Sequence, residues 1–218
     1  MRYVDKTNRC SAFDTYIATR KPTTWHIDSN MKLTLHQHLW EEQKSLCIYC
    51  QQSICKKIVK DATGNPLHPS HIEHIRPKDA AGTFSHLIFE HSNLAVSCNG
   101  NDVDDPLDVV LKYCGHAKLN QHDDSLFLHP FELIDVEEYF DYDVNGRITP
   151  SGKDPIKAGY TINLLKLNHP DLDSMREQQY LNIINEVNNN GLDIEDFLDP
   201  NYPELPKFYS MLKQLFYV

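Results

Sequence analysis

The strongest constraint on this chain is where its cysteines fall. Cys47 and Cys50 form a C-x2-C pair, the smallest loop that lets two thiolates reach one metal ion, and Cys98 and Cys114 follow downstream. The competing use of six cysteines is a disulfide framework, which belongs to small secreted domains. The opening MRYVDKTNRC has basic residues with no apolar segment after them, so no signal peptide is expected. No apolar run approaches the roughly 20 residues that span a bilayer. A cytoplasmic chain without a membrane partner, holding zinc through thiolates, is the expectation. Cys55 is an alternate ligand, and Cys10 reads as a plain thiol.

Hydrophobic residues make up 40% of the 218, enough for a real core. The net charge of -10 opposes tight autonomous binding to a phosphate backbone and favours a partner or a metal at any such site. Much of the acid is local, in Asp102, Asp104, Asp105 and Asp108 and again in Asp193, Glu195, Asp196 and Asp199.

Along the chain, residues 1–30 read as extended and irregular. A helix is expected over 31–44, with Leu33, His36, Leu39 and Trp40 on one face. HIEHIRP reads as a short strand closed by Pro77, residues 79–92 as a loop, and NLAVSC as a second ordered element. FLHPFELIDVEEYFDYDVNGRITP gives two strands around an Asn145-Gly146 turn, and residues 155–218 give three helices. The expected divisions are 1–44, a core over 45–125, and a mostly helical region over 126–218, in an α+β chain.

Order along the chain matters most: CIYC, then IEHIRPK, then NLAVSC, then CGHAK. These pieces resemble the HNH endonuclease family, and more closely the HNH nucleases of Septu-type anti-phage systems, which also occur beside retron reverse transcriptases. TINLLKLNHPDLDSMR is similar to the helical region that such nucleases carry afterwards. The resemblance implies a ββα-metal core braced by a four-cysteine zinc site, here Cys47, Cys50, Cys98 and Cys114. It makes His74 the general base, a role that suits an imidazole with an ordinary pKa near 6.5. Glu73 becomes a hard oxygen ligand for Mg²⁺ or Mn²⁺. Asn93 takes the middle position of the motif, where an amide can donate and accept at once.

His116 is then the candidate second metal ligand and Lys118 the candidate phosphate contact. The family's final ligand usually follows the last cysteine directly, and here that position is Gly115. The last two cysteines are also far apart, with residues 99–113 between them. His71, one of twelve histidines, reads as structural or solvent-facing. Implied partners are nucleic acid, an ATPase, and a reverse transcriptase with its retron nucleic acid. The region 155–218 is the expected ATPase dock, through Leu164, Leu165, Leu167, Leu212, Leu215 and Phe216, although an internal core explains most of these more plainly. A zinc-braced binding module without catalysis, and an RNase on the same site, are the alternatives.

Overall fold

In the computed structural model, which describes residues 1–55, 59–60, 66–67, 70–79, 82–100 and 113–217, the alternating HIEHI segment forms a strand and pairs with LAVSC. The acidic cluster 102–108 lies outside the described residues. Among those described, the architecture is α+β. The helices are α1 (Ser11–Arg20), α2 (Ser29–Glu42), α3 (Gly115–Lys118), α4 (Pro155–Leu165), α5 (Pro170–Asn190), α6 (Ile194–Phe197) and α7 (Tyr209–Phe216). The strands form three two-stranded antiparallel sheets: β1 (Val59–Lys60) with β2 (Pro66–Leu67), β3 (Ser70–His74) with β4 (Leu94–Cys98), and β5 (Phe140–Tyr142) with β6 (Ile148–Pro150).

Three expectations need correction. Residues 155–218 form four helices, α4 to α7, in place of three. The segment expected to be irregular contains α1, a helix with only Phe13 buried, held partly by an Arg9–Asp14 ion pair. On α2, which begins under an Asp28 cap, the buried face is Leu35, Leu39 and Trp40, whereas Leu33 is exposed. The Asn145-Gly146 turn forms as expected. Gly146 has φ +78°, and a Cβ there would stand 2.1 Å from the Asp173 carbonyl, so only glycine fits. The asparagine run 188–190 ends α5, with Gly191 as a left-handed C-cap.

The core is continuous through the cysteine loop, β4 and the C-terminal helices. Around Cys47 and Cys50 the backbone is tied to β4, with Ile48 N–H donating to the Val96 carbonyl (3.1 Å). The Gln43 amide brackets the same residue, accepting from Val96 N–H at 2.7 Å and donating to its carbonyl at 2.8 Å. The chain's last helices return to this loop. Leu205 N–H donates to the Lys44 carbonyl (3.1 Å), and Phe208 N–H to the Gln51 carbonyl (2.8 Å). The Gln51 side chain exchanges two bonds with Ser210, at 2.6 and 2.8 Å. The apolar set expected to dock a partner is spent internally: Leu165, Leu167 and Leu212 are buried, and Leu164, Leu215 and Phe216 pack against the core. No helix among the described residues is long and apolar enough to cross a membrane.

Candidate functional site

The register of β3 on β4 sets Glu73 opposite Ala95 and His74 opposite Leu94. Side chains alternate along a strand, so His71 and Glu73 share one face and His74 takes the other.

His74 is buried, and its Nε2 lies 3.0 Å from the Ile88 carbonyl. A carbonyl only accepts, so Nε2 carries the hydrogen and Nδ1 keeps the lone pair. Trp25 meets the imidazole edge-on, with ring centroids 4.3 Å apart, and stacks in turn on Phe89. Burial pushes the His74 pKa down to about 4, with the charges of Lys78 and Lys118 acting in the same direction. The ring is therefore neutral at physiological pH, the state in which it can take a proton.

Asn93 explains why β3 stops where it does. Its Oδ1 accepts from Arg76 N–H at 2.7 Å, and its Nδ2 donates to the carbonyls of Arg76 and Leu87, both at 3.1 Å. The amide thus stitches the end of the histidine strand to the loop that also presents Ile88. Asn93→Asp is expected to cost about 2–4 kcal/mol, because a buried carboxylate cannot donate to two carbonyls and faces them instead. A urea midpoint shift of that size, with cleavage reduced in parallel, checks it; an unshifted midpoint contradicts it.

On the other face, Glu73 is buried and its two oxygens are differently used. Oε1 accepts from the Tyr49 hydroxyl (2.9 Å) and stands 3.1 Å from the Lys118 ammonium. Oε2 stands 3.4 Å from His71 Nε2. Burial disfavours the carboxylate, but His71 and Lys118 outweigh it and hold the pKa below the usual value. The His116 ring lies on this face, its centroid 4.3 Å from that of His71. Position 116 therefore reaches the Glu73 face despite its offset from the family pattern. Lys118 does not project into solvent. Its ammonium is buried and also donates to the carbonyls of His74 and Ile75, at 3.1 and 3.2 Å. Such a lysine balances Glu73 and braces the strand end, leaving no ammonium free to meet a phosphate.

Cys47, Cys50, Cys98 and Cys114 are all buried, with sulfurs within 4.8 Å of one another. Cys47 and Cys114 are 3.9 Å apart, and Cys50 and Cys98 3.7 Å. Four thiolates about 2.3 Å from one tetrahedral zinc stand roughly 3.8 Å apart, so the donor set fits such an ion. Cys98 N–H points at Cys47 Sγ (3.3 Å) and Gln52 N–H at Cys50 Sγ (3.5 Å), bonds that favour sulfur as the charged form. The four cysteines could therefore hold a metal ion like zinc. Cys55 is exposed and Cys10 is buried elsewhere; neither belongs to the group.

A second group, His38, Glu42 and His91, is also close enough to share an ion. Its donors are already engaged: Lys6 stands 2.7 Å from Glu42 Oε2, His91 2.7 Å from Oε1, and His38 2.8 Å from the Asn8 carbonyl. The group ties the N-terminal segment to α2 and to the turn ahead of β4.

No family model matches the chain. Over 163 residues, 73% of this chain and 69% of the relative, it is 29% identical to the "Retron Vc95 putative HNH endonuclease" of Vibrio cholerae serotype O1 biovar El Tor. The chain resembles a retron HNH endonuclease. The resemblance first read from CIYC, IEHIRPK, NLAVSC and CGHAK thus extends over most of the chain. Among the motif residues, the fold brings Glu73 and His116 to one face, sets His74 on the other, and places Asn93 beneath the strand end. Two contributors carried no signal in the HNH pattern. Trp25 comes from the segment read as irregular. His71 acquires its meaning from strand alternation, which sets it beside Glu73.

Proposed function

We propose that this chain is a metal-dependent HNH endonuclease that hydrolyses phosphodiester bonds as the toxic effector of an anti-phage defence system. The observation that carries the reading is His74: a neutral imidazole, fixed in one tautomer by a backbone carbonyl, one residue from a buried carboxylate that faces two further imidazoles. A scaffold needs none of these. The four cysteines would hold a structural zinc that fixes the loop 47–50 against β4 and α3.

Glu73 is the hard oxygen donor that a divalent cation prefers, and the two imidazoles beside it offer nitrogens. Held by Glu73 and His116, Mg²⁺ or Mn²⁺ would neutralise charge on the scissile phosphate and on the leaving oxygen. His74 takes a proton from the attacking water at Nδ1 while the Ile88 carbonyl keeps the ring oriented. Asn93 holds the strand end so that base and carboxylate keep their spacing. Lys118 keeps Glu73 ionised from beneath. Phosphate contact falls more naturally to Lys78, which is exposed and near enough to act on the charge of His74.

The retron relative supports a setting in defence, with a reverse transcriptase and its nucleic acid among the partners. The ATPase partner comes from the Septu resemblance. With a net charge of -10, the chain draws its basic nucleic-acid surface from such a partner. The test is incubation of the purified protein, alone and with the product of its neighbouring gene, with DNA and RNA pools and either Mg²⁺ or Mn²⁺. The expected result is cleavage that disappears when the divalent ion is omitted, and the pool that is cut separates a DNase from an RNase. Binding to either pool without cleavage under every condition would instead favour the zinc-braced binding module.

A further inference from the structure

Gly115 stands where the family pattern puts its final ligand, and its surroundings show what that position faces. A Cβ built there would lie 2.7 Å from Glu73 Oε2 and 2.9 Å from His71 Nε2. A side chain at 115 would therefore enter the space between those two atoms. Glycine concedes the space, and the His71 imidazole reaches into it from β3.

His71 is held as metal-binding histidines are held. Its Nδ1 lies 3.1 Å from Asn99 Oδ1, an acceptor, which places the hydrogen on Nδ1 and turns the Nε2 lone pair toward Glu73. The separation of 3.4 Å between Nε2 and Glu73 Oε2 is close to the roughly 3 Å between adjacent ligands that each sit about 2.1 Å from an octahedral ion. Glu73 Oε1 is committed to Tyr49 and Lys118, so Oε2 is the oxygen that faces this space. His116 lies beside them on α3, its ring centroid 4.3 Å from that of His71.

We propose that His71 Nε2 is a ligand of the divalent cation, supplying with Glu73 Oε2 the donor that Gly115 cannot. The assignment rests on the metal-dependent nuclease reading above. It replaces a ligand from the helix with one from the strand, and His116 then adds to the set without being its sole nitrogen donor.

The test uses the full chain with its zinc content verified, and reads Mn²⁺ binding by calorimetry and by pulsed EPR for ¹⁴N coupling to the ion. His71→Ala is expected to weaken Mn²⁺ binding by about tenfold or more. His71→Gln offers only an amide oxygen in place of the imidazole nitrogen, so it should recover at most part of the affinity and none of the ¹⁴N coupling from position 71. In a His116→Ala background the remaining ¹⁴N coupling should persist, and vanish when His71→Gln is added.

Wild-type affinity in His71→Ala, full rescue by His71→Gln, or ¹⁴N coupling that survives the loss of both histidines would overturn the assignment. If Glu73→Ala abolishes binding while the His71 variants do not, only His71 is misassigned. A folded wild-type protein that binds no Mn²⁺ defeats the nuclease reading as well.

Discussion

His74→Ala is expected to lower cleavage by about 10²–10⁴, the usual worth of a positioned general base, while the protein stays folded and keeps its metals. Among the described residues the ring makes one hydrogen bond, to the Ile88 carbonyl, and one edge-on contact with Trp25. Its loss removes a small part of the core and leaves the four-cysteine group untouched. The measurement is single-turnover cleavage with Mn²⁺ in excess, alongside a thermal melt. Glu73→Ala should be comparably damaging, but for a different reason, and raising Mn²⁺ should recover part of its activity and none of that of His74→Ala. Cleavage by His74→Ala within a few-fold of wild type would remove the proposed mechanism.

Cys47→Ser is expected to unfold the protein. Structural zinc contributes on the order of 10 kcal/mol in small sites, against a typical total stability of about 5–15 kcal/mol for a whole domain. Here the loop 47–50 also carries Tyr49, which bonds Glu73, and Ile48, whose N–H bonds the middle of β4, so the loss spreads into the site. Elemental analysis should find one zinc per folded wild-type chain and none in the variant, and circular dichroism should show no cooperative melt. Cys55→Ser, at an exposed sulfur outside the group, is the matched control and should melt like wild type. Metal-free protein that is fully folded, or a normal melt for Cys47→Ser, would count decisively against a zinc role.

What could be read from sequence was what is written in local spacing. C-x2-C, an alternating strand ahead of a proline, and an Asn-Gly turn each encode their geometry within a few residues, and each is found in the fold. The helix α1 was not legible because one buried side chain in ten leaves no apolar period to detect. Leu33 and Leu35 both fit a helical stripe, and only the packing of α2 against β3 and β4 selects between them. From sequence Lys118 reads as a phosphate contact because lysine is rarely buried without a partner, and its partner, Glu73, is distant in sequence. The surroundings of His71 are hidden for the same reason. Its neighbours Gly115 and His116 reach it only when the region after β4 returns to the hairpin.

The bonds from residues 205–210 to Lys44 and Gln51 have a consequence for the making of this protein. Translation runs from the N-terminus, so the cysteine loop leaves the ribosome long before the segment that secures it. Until those last residues appear, the backbone groups of Lys44 and Gln51 lack the partners that complete the loop's surroundings. Contacts that span so much of the chain form late. A truncated translation product would then carry every motif of the hairpin without the framework that seats them. On the nuclease reading, such a fragment is expected to be inactive.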